Sequence, residues 1–319
     1  MNILFITSSR IGDAVLSTGL LAHIEQHYPQ ARVTVVCGPL CASLFEGYPL
    51  LRRVIPLRKR RYNMHWFTLW QEVAPLRWDM VIDLRNSLVS RLVRSDHVYT
   101  LSSKINRQAH KVEQNAAVMG LASPPAPQLW FSKYQKEDAA KLIPVAIGPA
   151  AKVLAVGPAS NWAAKTWPAE RFAEIIKFIT SGDGILPGAR VAVFAAPGEE
   201  QVARQVLESV PAARRIDLIA KADPGTAAAA LARCAFYIGN DSGLMHCAAA
   251  AGVPTLGLFG PSYPAIYRPW GDHCAYARTP ETFDELIAYK GYSPKTAPCL
   301  MTSLSIDMVL EKIKGFRLN

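Results

Sequence analysis

Two parallel β-sheets, each covered by helices, form the α/β architecture that this sequence predicts. Three observations predict it. Short apolar runs alternate with segments of helical spacing along nearly the whole chain, the pattern of parallel strands joined by crossover helices. That alternation is interrupted by the Pro-rich stretches Ala122-Ser-Pro-Pro-Ala-Pro127 and Ile143 to Ala151, and then restarts, which places a boundary near 145 and gives domains over 1–145 and 146–319. Finally, Tyr237 to Ser262 contains a complete β-α-β unit: an apolar run ending at Gly239, a polar turn, a helix of small residues, and a second apolar run from Thr255 to Phe259.

In the first domain, Asn2 to Thr7 reads as a buried strand and Ser8-Ser-Arg-Ile-Gly-Asp13 as the turn into a helix. The apolar positions Val15, Leu16, Leu20, Leu21 and Ile24 keep helical spacing up to Tyr28-Pro29. A strand from Arg32 to Cys37, a helix from Trp66 to Leu76 and a strand from Met80 to Asp83 follow. The second domain repeats the alternation. Strands are expected at Val153 to Val156, Arg190 to Ala195 and Ile216 to Ile219, and helices at Pro168 to Ile179, Glu199 to Val210 and Gly225 to Cys234, with Ser305 to Lys314 as a closing helix. Two such Rossmann-like halves have a natural ligand site between the carboxyl ends of their strands.

Composition narrows the function. Half the residues are hydrophobic and 19% are charged, as in a soluble enzyme, and no run approaches the ~20 apolar residues that span a bilayer. A cytoplasmic location is expected. The six cysteines form no Cys-x-x-Cys pair and read as reduced, mostly buried thiols. There is no Gly-x-Gly-x-x-Gly fingerprint, Walker A loop or His-Glu-x-x-His, so dehydrogenase, P-loop ATPase and zinc-protease readings lose their support. No metal cluster and no cofactor are expected. The formal charge of +10 is concentrated in residues 1–145, where 18 Lys and Arg face 10 Asp and Glu. The run Arg58-Lys59-Arg60-Arg61, interleaved downstream with Tyr62, Trp66 and Trp70, is either a solvated face or a grip for something acidic: a nucleic acid, an anionic membrane or an acidic saccharide.

Chemistry concentrates in three places. After Gly239, Asn240 and Asp241 can cap a helix whose start, Ser242-Gly243-Leu244, leaves backbone N–H groups uncovered; His246 lies one turn in. Such a start favours an anion, because the free N–H groups and the positive end of the helix dipole point the same way. Lys165, in the loop after the second domain's first strand, is either a solvated lysine or a cation on the same rim. Asp13 is either a helix-start carboxylate or a general base.

The stretch Asp241-Ser-Gly-Leu-Met-His246 with Gly252-Val-Pro254 and Phe259-Gly-Pro-Ser262 resembles the signature of the heptosyltransferases that build the lipopolysaccharide inner core. Ile11-Gly-Asp-Ala-Val15 and Lys165-Thr-Trp-Pro168 match two further motifs of that family, in the same order along the chain. Two departures stand out: Gly19 where the family often has Pro, and Ala220 where it has a Gly-rich turn. The resemblance implies the two-domain glycosyltransferase fold called GT-B, with the two Rossmann-like domains facing across a cleft, the acceptor on the first and the nucleotide sugar on the second. It implies an inverting, metal-independent transfer of heptose from ADP-heptose to an acidic, lipid-linked acceptor. Asp13 would be the base and Lys165 the cation that neutralises the diphosphate, with Asp241, Ser242, Gly243, Leu244 and His246 around the donor. Arg10, Arg58, Lys59, Arg60 and Arg61 would bind the acceptor, with peripheral contact to the anionic inner membrane face and no role for nucleic acid. A transferase of the same fold using another nucleotide sugar, and a non-catalytic nucleotide-binding module, are the alternatives.

Overall fold

Residues 3–6 are buried on every side chain, which a strand can satisfy only inside a sheet covered on both faces. The computed structural model describes residues 1–294 and 296–318. It places that segment (Asn2–Ile6, β1) at the centre of a parallel sheet with Arg32–Cys37 (β2), Leu51–Pro56 (β3), Arg77–Asp83 (β4) and Arg94–Thr100 (β5), in the order β3-β2-β1-β4-β5. The helices of this half are Ile11–Leu16 (α1), Thr18–His27 (α2), Met64–Val73 (α3), Val89–Leu92 (α4), Lys111–Val118 (α5) and Lys133–Leu142 (α6).

The continuous helix expected from Val15 to Tyr28 is two helices. They break at Ser17, whose hydroxyl donates to the Ala14 carbonyl (2.7 Å), while Thr18 does the same to Val15 (2.7 Å). These hydroxyls compete with the backbone for the carbonyls that a continuous helix uses. Gly19 belongs to this junction, and a Cβ there would collide with the Pro125 carbonyl. A proline at that position would need the 125–126 backbone to move.

In the second half, Val153–Gly157 (β6), Arg190–Ala195 (β7), Arg215–Ile219 (β8), Phe236–Asn240 (β9), Thr255–Phe259 (β10) and Cys274–Arg278 (β11) form a six-stranded parallel sheet ordered β11-β10-β9-β6-β7-β8. Its helices are Ala169–Thr180 (α7), Glu200–Glu208 (α8), Pro224–Leu231 (α9), Gly243–Ala250 (α10), Pro264–Tyr267 (α11), Phe283–Ile287 (α12) and Ile306–Ile313 (α13). Its core joins Trp167, Phe172 and Ile175 to Leu154, Val191, Phe236 and Leu256, with α13 contributing Val309 and Ile313. Both halves are therefore the expected α/β units. The chain divides into two compact units, Met1–Gln135 and Lys136–Asn319, so the division falls inside α6, ten residues before position 145.

Each sheet has one place where its strand order reverses. In the first unit this lies between β1 and β4, and in the second between β6 and β9. At such a point the loops leaving neighbouring strands run in opposite directions and leave a crevice at the carboxyl ends.

Candidate active site

At the first reversal, the loop after β1 and the loop after β4 enclose a cavity of ≈330 Å³ lined by Ser8, Arg10, Asp13, Lys59, Arg85, Lys111 and Asn115, among others. Asp13 is the third residue of α1, and its partner is the Ser8 hydroxyl at 3.4 Å. Four cationic side chains share the cavity with this one carboxylate. Lys59 arrives after β3, and Arg85 is aimed by a built turn: buried Asp83 at the end of β4 accepts from the Arg85 N–H (2.8 Å), the Ser87 N–H (2.7 Å) and the Ser87 hydroxyl (2.7 Å). The Arg85 guanidinium also lies over the Trp66 ring at 6.0 Å. Lys111 opens α5, where burial pulls its ammonium below the ordinary lysine value and Asp13 opposes that shift. Asn115, one turn further on, donates to the Leu16 carbonyl (3.0 Å) and so fixes α5 against the end of α1.

At the second reversal, the loop after β6 carries Lys165 and the loop after β9 carries Asp241. The Lys165 ammonium donates to the Asp241 carboxylate at 2.9 Å and to the Asp241 main-chain carbonyl at 3.1 Å. Both side chains are largely shielded, at 19% and 9% exposure, so this is a partly desolvated pair rather than a surface bridge. His246 Nε2 approaches the other Asp241 oxygen at 4.0 Å. The cap of α10 differs from the sequence expectation: Ser242 is the N-cap and Asn240 closes β9. Asn240 is fully buried; its amide accepts from the Trp167 N–H (3.1 Å) and donates to the Pro158 carbonyl (2.7 Å). It therefore ties the Lys165 loop to the neighbouring strand. The same loop is held from its other side by the Leu300 N–H on Ala164 (3.0 Å) and the Cys299 thiol on Thr166 (3.1 Å).

Beneath the start of α10, the Tyr237 ring runs along the sheet over Gly157 and Gly239, where any Cβ would strike its hydroxyl. That hydroxyl lies against Ser242. Among the described residues, the Tyr237, Ser242 and Ser262 hydroxyls are buried without a well-formed hydrogen bond. Buried polar groups left this way are costly, and the Tyr237 and Ser242 pair at a helix start favours a polar ligand there. Gly252 ends α10 with φ +79°, and Ala220 adopts φ +54°, the left-handed region where glycine is unstrained.

The structure thus brings Asp13, Arg10 and Lys59 together in one cavity, and Lys165, Asp241, Ser242, Gly243, Leu244 and His246 at one helix start. Arg58, Arg60 and Arg61 are exposed and do not line the cavity. Lys111 and Asp83 carried no sequence signal: a lysine at a helix start and a buried aspartate at a strand end look ordinary until the turns are seen. Among the described residues no three His, Cys, Asp or Glu side chains gather as a metal site.

The pattern of glycosyltransferase family 9 (heptosyltransferase) matches residues 66–284. The chain belongs to this family. The heptosyltransferase is 26% identical to the lipooligosaccharide heptosyltransferase 2 of Haemophilus influenzae over 98% of each chain. It is 24% identical to lipopolysaccharide heptosyltransferase 1 of Escherichia coli, covering 88% of this chain and 94% of that one. Its fold superposes on a family 9 glycosyltransferase from Veillonella parvula with a TM-score of 0.77 at 21% identity, covering 98% and 96% of the two chains. It superposes on the E. coli heptosyltransferase WaaC solved with ADP with a TM-score of 0.72 at 21% identity, covering 99% of both. The fold is thus the GT-B architecture of these enzymes. Among the described residues no helix is long and apolar enough to cross a membrane.

Proposed function

We propose that this heptosyltransferase moves heptose from ADP-heptose to an acidic, lipid-linked sugar of the lipopolysaccharide inner core, by one inverting displacement that needs no metal. The observation that carries the reading is the Lys165 ammonium fixed at the start of α10, beside backbone N–H groups and the buried Ser242 hydroxyl. Together they supply the positive potential that a leaving diphosphate needs. The relatives bear names that agree in reaction, and a related structure was solved with ADP-2-deoxy-2-fluoro heptose.

In this reading the acceptor hydroxyl loses its proton to Asp13 while its oxygen bonds to the anomeric carbon. The bond from that carbon to the diphosphate breaks, and the electron pair leaves with ADP. Lys165 and the α10 N–H groups bind the diphosphate more tightly as its charge grows, which lowers the barrier rather than only the Michaelis constant. Asp241 is itself anionic, so it acts on the donor through Lys165: it holds the ammonium in place. Arg10, Lys59, Arg85 and Lys111 around Asp13 favour an acceptor whose hydroxyl sits near a carboxylate or phosphate. Arg58, Arg60 and Arg61 lie outside that cavity and would meet more distant acidic groups of the same acceptor, or the anionic membrane that carries it.

The test is product stereochemistry. Transfer from ADP-heptose to a Kdo-bearing acceptor, followed by proton NMR of the new anomeric centre, should show inversion, and a chelator should leave turnover unchanged. Retention, or activity abolished by chelator and restored by Mg²⁺ or Mn²⁺, would sink the mechanism.

A further inference from the structure

Large apolar side chains rarely crowd together in solvent, because each costs free energy that burial would recover. On the outer side of α3 and α4 they do. Tyr62 (93% exposed), Met64 (48%) and Phe67 (49%) lie on the Arg61–Asn63 turn and the first turn of α3; Leu88 (67%) is the N-cap residue of α4 and Leu92 (62%) its last residue. The two helices are neighbours on one face of the β3-β2-β1-β4-β5 sheet: Leu69 and Val73 of α3 and Val89 of α4 fill the same core cluster, and their opposite sides face out. The inward sides follow ordinary burial. The outward ones need another explanation.

Cations surround this apolar strip. Arg58, Lys59, Arg60 and Arg61 precede it, Arg85 and Arg91 border α4, and all six are exposed. Among the described residues none of the six takes part in an ion pair, whereas Arg53 beside them is neutralised by Glu72 at 2.8 Å. Asn86 accepts from Arg91 at 3.2 Å, a contact that leaves its charge uncompensated. Aromatic and aliphatic side chains at the level of a row of unpaired arginines are complementary to one kind of surface, a bilayer with anionic headgroups. Acyl chains accept the Leu and Phe side chains, the Tyr ring suits the interface, and the arginines meet phosphates. The strip also adjoins the cavity, since Lys59 and Arg85 belong to both.

We propose that the outer face of α3 and α4, with the Arg58–Arg61 run, is the surface by which this enzyme docks on an anionic bilayer, so that a lipid-linked acceptor reaches the Asp13 cavity from the membrane side. This rests on the reading above that the acceptor is lipid-linked, and it assigns the membrane contact to named residues. Docking combines apolar insertion with charge. Neither component alone accounts for a surface that carries both.

The experiment compares the full-length enzyme with the variant Phe67→Ser/Leu88→Ser/Leu92→Ser, whose changes are all at exposed positions. Vesicles of phosphatidylethanolamine and phosphatidylglycerol (3:1) and vesicles of phosphatidylcholine alone are sedimented with each protein. Wild type should bind the anionic vesicles at least tenfold more tightly than the neutral ones, and the triple variant should lose at least tenfold of that binding. Transfer to an acceptor stripped of its acyl chains should be unchanged in the variant, while transfer to the intact acceptor in anionic vesicles should fall by a similar factor. Equal vesicle binding by variant and wild type would overturn the proposal, leaving charge alone. So would wild-type dimers that the variant loses, with no vesicle binding, since a second copy would then be what covers the strip. Failure of transfer to every acceptor, with vesicle binding intact, would count against the enzymatic reading and leave the docking surface standing.

Discussion

Lys165 and Asp241 form a pair that is mostly out of water, so losing one member leaves the other as an uncompensated charge. This separates catalysis from folding in a measurable way. Lys165→Met should lower turnover by about 2 to 4 kcal/mol, the scale for removing one transition-state donor. It should also lower the melting temperature, because Asp241 keeps its charge without its counter-ion. Adding Asp241→Asn to that variant should recover part of the melting temperature and none of the turnover; recovery of both would refute the role given to Lys165. Asp13→Asn makes the complementary test: it keeps the side-chain shape and removes the proton acceptor, so turnover should fall by roughly 10² to 10⁴ with ADP affinity unchanged. Wild-type turnover in that variant would exclude Asp13 as the base. Lys111 adds a pH signature. Burial holds its pKa below the ordinary 10.5, so between the lowered value and 10.5 the unfolded chain binds more protons than the folded one, and stability rises with pH across that window. Lys111→Met removes this term. Its stability relative to wild type should therefore be most favourable near neutral pH and decline as pH rises towards 10.5, as followed by urea denaturation.

At the scale of elements, loops hold the chemistry and strand ends hold the loops. Asn240 bridges Trp167 and Pro158, and Asp83 makes the turn that presents Arg85. Asn240→Ala would strand a buried N–H and a buried carbonyl, costing about 2 to 4 kcal/mol, and should weaken ADP binding although the side chain lies outside the proposed ligand contacts. Unchanged calorimetric affinity would mean the Lys165 loop holds its position without the amide. These elements also show what periodicity reveals. The buried strands β1, β2, β6, β7, β9 and β10 stand out because both faces are apolar. β5, Arg-Ser-Asp-His-Val-Tyr-Thr, is a largely exposed edge strand whose polar residues leave no such pattern, and β11 is likewise an edge strand, of the other sheet. Asn before a helix usually caps it, which is the role local sequence suggests for Asn240. Its actual role depends on residues some seventy and eighty positions away, which local sequence does not disclose.

For the molecule as a whole, the base candidate and the diphosphate candidates belong to different compact units, each at its own sheet's strand reversal. ADP alone should therefore act on one unit. At 100 times its dissociation constant it adds about 2.7 kcal/mol to whatever folds with it. Amide exchange should slow in β6, β9 and α10 and stay unchanged in β1 and β4; protection confined to the first unit would reverse the assignment of donor and acceptor. The grouping of the motif residues was legible in the sequence because they sit after strands, where a parallel sheet gathers them. The membership of the Asp13 cavity was not, since Lys59, Arg85 and Lys111 reach it from three separate segments.

The Tyr237 ring lies where side chains at 157 and 239 would otherwise be, so three positions on two neighbouring strands share one volume. Their bulk should be exchanged among relatives rather than vary independently: where 157 or 239 carries a side chain, 237 should be small or aliphatic. A single Gly157→Ala would meet the phenol and displace it towards Ser242, while the same change combined with Tyr237→Val would restore the fit. Variation at these three sites is then a record of how each lineage supports the floor beneath the turn that opens α10. It also offers a way to reshape that floor without touching the residues above it.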